Sequence, residues 1–448
     1  MDVRGKGFSV VGMGKSGLAA ARALARLGAD VLLSDRRNQD ELSGVPLDKN
    51  IETAFGGEVI RPGDVAVLSP GIPPHARVFR LAERLASEVM SEVELFFRLY
   101  SGRMVAVTGT DGKSTVTTLI AHILSSSGFS ATAAGNLGNP LCDLLAAPPD
   151  VVVAEVSCFQ LITCSRFRPE VAVVTNLAED HIEYHGSFGA YVRAKARIVQ
   201  NQAAGDCFVR NLDDPLLVNW LRPGDQWAKE NGQRVLDVSR HDLVRDGACA
   251  KDGVIYVASS GGAVRVCRRS DIPLPGEHNT ENALLAIAAC TALGVGPDAL
   301  ARALATYKGL PHRIERVREV DGVVFYNDSK ATNPHAAITA LRAFDEPVVL
   351  IAGGHEKGLS FQELAAEVGR RARAVVLVGE CAGRMQREFP AHVPMEVCPD
   401  LDAAVRRAFE LARPVRAPVL FSPGASSYDQ FSNFEERGDR FREVVLAL

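Results

Sequence analysis

One short stretch constrains what this chain can fold into more than any other: Val105-Ala-Val-Thr-Gly-Thr-Asp-Gly-Lys-Ser-Thr115. Residues 105–108 read as a buried strand and residues 116–124 as a helix with little charge. Between them, Gly109 and Gly112 permit a tight turn whose backbone N–H groups point inward, and Lys113 adds a positive charge. The helix N-terminus supplies further N–H groups and the positive end of its dipole. Ser114 stands where phosphate-binding loops give a hydroxyl to magnesium. A full Walker pattern has a glycine five residues before Gly112, where Val107 stands. The compact form Gly-Thr-x-Gly-Lys-Ser therefore reads as a loop for a nucleoside triphosphate, with an ordinary glycine-rich turn as the plain alternative.

At 448 residues the chain is too long for one core, and two to four domains are expected. Hydrophobic residues at 47% and charged residues at 23% describe a soluble globular protein. A net charge of −4 gives no support to nucleic-acid or membrane binding. Nine cysteines, an odd number with no Cys-x-x-Cys pair, fit reduced cytoplasmic thiols better than a disulfide framework or a zinc site. Met1-Asp-Val-Arg-Gly-Lys-Gly carries no apolar signal segment, and no apolar run approaches the roughly 18 residues of a membrane span. Apolar strands alternate with Ala/Leu-rich helices from end to end, which predicts α/β architecture with parallel sheets.

Residues 7–37 read as a first βαβ unit, with strand 8–11, turn Gly12-Met-Gly14-Lys-Ser-Gly17, helix 18–27 and strand 31–34 ending at Asp35. This Gly-x-Gly-x-x-Gly pattern suits a pyrophosphate and a sugar, so a dinucleotide or a nucleotide-sugar diphosphate both satisfy it, as does an empty glycine turn. Asp35-Arg36-Arg37 supplies a hydroxyl acceptor and two cations. A third strand, 65–68, runs into Ser69-Pro70-Gly71-Ile-Pro73, a rigid loop on the ligand side of an open sheet. The first domain boundary is placed near residue 92.

After the phosphate loop come Gly135-Asn136-Leu-Gly138 and a strand ending in Glu155. An acid there is the usual second anchor for magnesium, with a salt bridge as the alternative. Strand 171–176 leads to Glu179-Asp180-His181, where the histidine is either a ligand or structural. In helix 188–200, Tyr191 and Lys195 share a face, and spacing alone makes Lys195 a solvated surface lysine. Residues 223–270 are polar and read as a β-rich excursion of the same domain. Asn279 and Asn282 precede helix 283–293 and suit either capping or contact with an adenine. Gly309-Leu-Pro-His-Arg313 reads as a linker into a third domain, whose strands 323–326, 348–352, 374–378 and 419–421 each run into polar loops. Those loops carry Asp328 and Lys330, Gly353-Gly-His-Glu-Lys357, Gly379-Glu380 and Ser422 to Gln430. Three α/β domains around a triphosphate loop suggest the joining of two substrates at the expense of ATP, and nothing forms a nucleophilic triad.

Thr108-Gly-Thr-Asp-Gly-Lys-Ser-Thr115, Glu155, Asp180-His181, Tyr191-x-x-x-Lys195, His278-Asn-x-x-Asn282, Leu310-Pro-His-Arg313 and Asp328-Ser-Lys-Ala-Thr-Asn333 together resemble the Mur ligase family, in order over nearly the whole chain. These enzymes add amino acids to the peptidoglycan precursor. Gly12 to Gly17, Leu68-Ser-Pro-Gly-Ile72 and Ser422 to Phe431 resemble the branch that adds D-glutamate to UDP-N-acetylmuramoyl-L-alanine.

The resemblance implies a cytoplasmic, monomeric ATP-dependent ligase with a Rossmann-like domain at 1–92, a central ATP-binding domain at 93–309 and a Rossmann-like amino-acid-binding domain at 310–448. It implies that Gly14, Lys15, Ser16, Asp35, Arg36 and Arg37 hold the uridine diphosphate, that Ser69, Pro70 and Gly71 line the sugar, and that Asn136 reaches the diphosphate or muramoyl group. Gly109, Thr110, Asp111, Gly112, Lys113, Ser114 and Thr115 would cradle ATP, with Ser114 and Glu155 at one Mg2+. His181 and a carbamylated Lys195 would hold a second Mg2+, overturning the surface reading of that lysine. Asn279, Asn282, Arg313 and Asp328 would close on the adenosine and phosphates, and Lys330, Thr332, Lys357, Ser427, Tyr428 and Phe434 would surround D-glutamate. Two positions depart from the family pattern: Asp111 replaces a common asparagine and is expected to point away or meet a cation, and Glu356 replaces a frequent aspartate. Rival readings are another ligase of this type, adding L-alanine or acting on folates, a dinucleotide-dependent oxidoreductase, and a nucleotide-binding module without catalysis.

Overall fold

The alternation of strands and helices resolves into three sheets in a computed structural model, which describes residues 1–42, 48, 50–219, 231–356 and 358–448. The first sheet is all parallel, in the order Glu52–Phe55, Asp30–Asp35, Gly7–Val11, Val65–Leu68, Glu88–Met90. Its order reverses between Gly7–Val11 and Val65–Leu68, so Gly12 and Ser69 emerge side by side where open sheets bind ligands. Strands Glu52–Phe55 and Glu88–Met90 were not expected, because each is short and half polar. Val65–Leu68 is thus the fourth strand along the chain rather than the third.

The second sheet has nine strands and is centred on Arg103–Thr108. That strand pairs in parallel with Val151–Glu155 on one side and Val171–Val174 on the other. Ala131–Gly135 closes one edge, and Cys207–Asn211 and Arg234–Ser239 continue the other. The strands flanking the phosphate loop are buried along their length, as continuous apolar runs covered on both faces must be. The β-rich excursion forms Gly247–Lys251, Val254–Ser259 and Gly262–Arg268, the last two added antiparallel at the sheet edge. Helix Lys113–Ser126 starts three residues before the expected apolar run, so Lys113 and Ser114 lie in its first turn.

The first two sheets belong to one compact unit, Met1–Ile272 with Thr280–Ala305. One apolar cluster links the two sheets, from Phe8 and Leu24 by way of Phe96 and Leu141 to Phe167 and Phe208, and a smaller one gathers Val11, Leu68 and Phe79 on the first sheet. The second unit, Pro273–Asn279 with Thr306–Leu448, holds the third sheet. Its order is Glu315–Val320, Val323–Asn327, Val419–Phe421, Val348–Gly353, Ala372–Val378, Met395–Val397. Glu315–Val320 precedes the strand expected to come first and pairs antiparallel with it. Its alternation of exposed charges with half-buried valines disguised it.

Candidate active site

Glycine shapes the turn after Arg103–Thr108 for a steric reason. Gly109 and Gly112 have φ of 146° and 78°. A Cβ on Gly109 would sit 1.8 Å from Thr175 Oγ1, and one on Gly112 would sit 2.4 Å from Asn282 Oδ1. The neighbouring strand then braces the loop. Asn176 Oδ1 accepts from Asp111 N at 2.8 Å, and Thr175 Oγ1 donates to Asp111 O. Lys113 Nζ donates to Thr110 O at 2.6 Å, which holds its charge over the loop. The Asp111 residue is exposed, so the extra negative charge sits in water. Ser114 and Thr115 lie in the first turn of Lys113–Ser126, at the positive end of the helix dipole.

Glu155 ends the adjacent strand and is 2% exposed. Its Oε1 accepts from Asn136 Nδ2 at 2.8 Å, while Oε2 is buried with no protein partner. A buried carboxylate oxygen without a protein partner, on the strand paired with the one that runs into this loop, has the chemistry to hold a cation. Among the described residues no three His, Cys, Asp or Glu side chains converge.

Lys195 is not a surface lysine: it is 2% exposed. Its Nζ donates to Gly109 O and lies 4.6 Å from the Tyr191 ring centroid. Burial, assisted by the charge of nearby Lys113, lowers its pKa to about 8. Tyr191 is 1% exposed, and its hydroxyl lies 2.8 Å from Thr110 Oγ1. The helix carrying both runs only Phe188–Ala196, shorter than the expected 188–200. His181 is exposed, in a left-handed conformation with φ of 52°, 3.2 Å from Asp180 and against the Phe159 ring. Asn279 and Asn282 are not caps, because their helix is Glu277–Ala292 and includes both. Asn279 Nδ2 donates to Pro275 O at 2.7 Å.

In the first sheet, Gly12 and Gly17 serve close packing, since Cβ atoms there would strike Ser69 Oγ and Gly12 O. Gly14 has open space around it and, with exposed Lys15 and half-exposed Ser16, faces outward. Asp35 is engaged internally. It accepts from Met13 N at 2.7 Å, Arg37 N at 2.9 Å and the Arg37 guanidinium, whose pairing holds the carboxyl far below its usual range. The expected sugar acceptor thus braces the glycine turn, leaving Arg36 and the exposed part of Arg37 as the cations of this edge. Pro70 and Gly71 extend the loop after Val65–Leu68, beside Ser69.

In the second unit, Asp328 is buried and accepts from Ser422 Oγ at 2.7 Å and Ile314 N at 3.2 Å. Burial pushes its pKa up to about 7, moderated by Ser422 and Arg313. Lys330 is exposed, with Nζ 5.7 Å from the Phe434 ring. Ser427 is buried, Thr332 half-buried and Tyr428 67% exposed. Lys357 lies outside the described residues. Glu356, the second departure, is tied to Arg384 at 2.8 Å. Sequence reasoning missed Arg437, whose guanidinium donates to Ser329 O and Oγ, Ala425 O and Ser426 O. It fastens the loop after Val323–Asn327 to the one after Val419–Phe421. Only the inward register of helix Phe434–Leu446 distinguishes it from Arg440, which is exposed, and Arg442, which is half-buried.

Residues 107–290 match the Mur ligase middle domain and residues 312–424 the Mur ligase, glutamate ligase domain. The whole chain is 42% identical to the UDP-N-acetylmuramoylalanine–D-glutamate ligase of Pelotomaculum thermopropionicum, covering 99% of that protein. It is 39% identical to the ligase of the same name from Geobacter metallireducens, again over 100% of this chain and 99% of that one. Among solved structures, the MurF ligase of Thermotoga maritima in complex with ADP shares the fold at a TM-score of 0.57 and 18% identity, covering 99% of this chain and 96% of that one.

Proposed function

The chain belongs to the Mur ligase family, and on that premise we propose that it is the ATP-dependent ligase that joins D-glutamate to UDP-N-acetylmuramoyl-L-alanine. The observation that carries the reading is full-length identity of 42% to a relative of that name, together with a phosphate loop flanked by a buried, half-satisfied Glu155. It acts on small molecules, as a cytoplasmic monomer.

A carboxylate is a poor acyl donor, so one of its oxygens first attacks the γ-phosphorus of ATP, giving an acyl phosphate and ADP. Two anions must approach, and Lys113 with the helix N-terminus offsets their repulsion. The D-glutamate amine then attacks the acyl carbon, the amide forms, and inorganic phosphate leaves with the acyl oxygen. Bound Mg2+ would supply further charge neutralisation, held by Ser114 and Glu155 at one position and by His181 and Lys195 at a second. The donor chemistry fits. The orphaned Glu155 Oε2 needs a cation, and a lysine with a pKa near 8 has enough free amine to take up CO2 and become a carboxylate-bearing carbamate.

In this reading residues 1–92 bind the uridine diphosphate through Gly14, Lys15, Ser16, Arg36 and Arg37, with Asp35 holding the turn and Ser69 to Gly71 and Asn136 nearer the muramoyl end. Residues 93–309 bind ATP through Gly109 to Thr115 with Asn279 and Asn282. Residues 310–448 contribute Arg313 and Asp328 to the nucleotide, and Lys330, Thr332, Lys357, Ser427, Tyr428 and Phe434 to D-glutamate. The test is phosphate release with ATP, Mg2+ and UDP-N-acetylmuramoyl-L-alanine, varying only the amino acid and its chirality. Release dependent on D-glutamate and not on L-glutamate or L-alanine is expected. Release with L-glutamate or L-alanine in place of D-glutamate, or none with any amino acid, overturns the reading.

A further inference from the structure

We propose that Tyr184 is a positioning residue, clasping the sugar-side loop of the first sheet to the phosphate-loop edge of the second. This rests on the ligase reading above. Tyr184 lies on the short helix Ile182–His185, immediately after His181. Its hydroxyl is 2.9 Å from Ile72 O and 3.2 Å from Pro70 O. Carbonyls only accept, so the phenol donates, sharing its proton between them. Burial raises its pKa to about 12, so it remains a donor throughout the physiological range. The clasped loop is itself closed by Ile72 N donating to Ser69 O at 3.0 Å, so a hold on two of its carbonyls fixes the whole turn.

The other side of Tyr184 leads to the phosphate loop through unbroken packing. Its ring lies 4.3 Å from that of Phe159, between centroids. Phe159 sits in helix Cys158–Leu161, which starts just beyond Glu155 and is fixed by a capping box between Ser157 and Gln160. His185, one residue on, stacks on Phe159 at 7° and meets Tyr191 edge-on at 5.5 Å. Tyr191 in turn bonds Thr110 of the phosphate loop. A loop that lines the sugar nucleotide and a loop that holds ATP are thus joined through four aromatic rings. A sugar nucleotide anchored on the first sheet must bring its carboxylate within attack distance of a phosphorus held by the second, where about 1 Å of error costs roughly 10²-fold in rate. Tyr184 sets that spacing from the protein side.

The experiment compares wild type with Tyr184→Phe, which keeps the ring and removes only the donor, and with Tyr184→Leu, which removes both. Calorimetric Kd values for UDP-N-acetylmuramoyl-L-alanine and for ATP are measured beside steady-state kinetics. Losing one neutral hydrogen bond weakens sugar-nucleotide binding about 5- to 10-fold in the Phe variant. KM for ATP and for D-glutamate stays within about 2-fold, and the melting temperature is held. The Leu variant loses more, because the packed path is broken as well. An unchanged Kd for the sugar nucleotide in the Phe variant, or equal changes for all three substrates, or a lower melting temperature with intact kinetics, overturns the proposal. If wild type binds the sugar nucleotide but releases no phosphate with D-glutamate, the ligase reading falls while the binding comparison still decides the role of Tyr184. If wild type does not bind it, both fall.

Discussion

Asn136 Nδ2 donates to Glu155 Oε1 at 2.8 Å while Glu155 Oε2 is buried without a partner, so the carboxylate is held in place but left half satisfied. Such a group costs stability on its own and is settled by a cation. Glu155→Gln is therefore expected to raise the Mg2+ concentration for half-maximal phosphate release by at least about 10-fold, with no loss of melting temperature in metal-free buffer. Asn136→Ala, which frees the carboxylate to turn, shifts the same titration by roughly 10-fold. A Mg2+ titration that superimposes on wild type in both variants rules out the cation seat.

Lys113 lies over the loop rather than out in solvent, held by Thr110 O at 2.6 Å. In the proposed reaction its charge would offset the repulsion between the two anions that meet. Lys113→Ala is expected to lower kcat by at least about 10²-fold, the scale for one preorganised donor to a transition state. Near-normal turnover in single-turnover and steady-state assays sinks this assignment.

Lys195 combines burial with a pKa lowered to about 8. Carbamate formation consumes the neutral amine, so its extent falls as pH drops through that value, and bicarbonate dependence of activity is expected to steepen from about pH 9 to pH 7. Lys195→Ala is expected to be nearly inactive and partly rescued by short carboxylic acids that occupy the vacated site. No rescue, together with an unmodified lysine by crystallography, removes the carbamate from the mechanism.

Glu92 opens helix Glu92–Leu99 and is 2% exposed, with Oε1 accepting from Cys142 N at 2.6 Å and Oε2 unpartnered. Burial raises its pKa from 4.5 to about 7. The folded state therefore binds a proton more tightly than the unfolded one. This stabilising contribution is complete below about pH 4.5 and lost as pH rises through about 7. Glu92→Gln is expected to flatten the fall in melting temperature between pH 5 and pH 8, an effect on the order of 3 kcal/mol at most. Parallel pH profiles for the two proteins refute it.

The phosphate loop, the glycine turn after the first strand and the strand ending in Glu155 were legible because each is local. Apolar runs of fixed length, glycines and one charged residue specify a strand, a turn and a helix start within about ten residues. Strands Glu52–Phe55, Glu88–Met90 and Glu315–Val320 were not, since short edge or half-exposed strands carry little periodicity and are held by their neighbours. The start of helix Glu277–Ala292 was missed for a related reason: its polar first turns resemble a cap.

What the chain's residues decided by themselves was the α/β alternation, the parallel sheets and the tight glycine turns after the first strand and after Arg103–Thr108. What only tertiary structure decided was the state of individual side chains. Lys195 looks solvated by spacing and is buried under Gly109 and Tyr191, Asp35 looks free for a sugar and is engaged by Arg37, and Arg437 looks like any surface arginine and joins two loops. Burial and partnership depend on segments far apart along the chain, and those quantities set charge, pKa and reach.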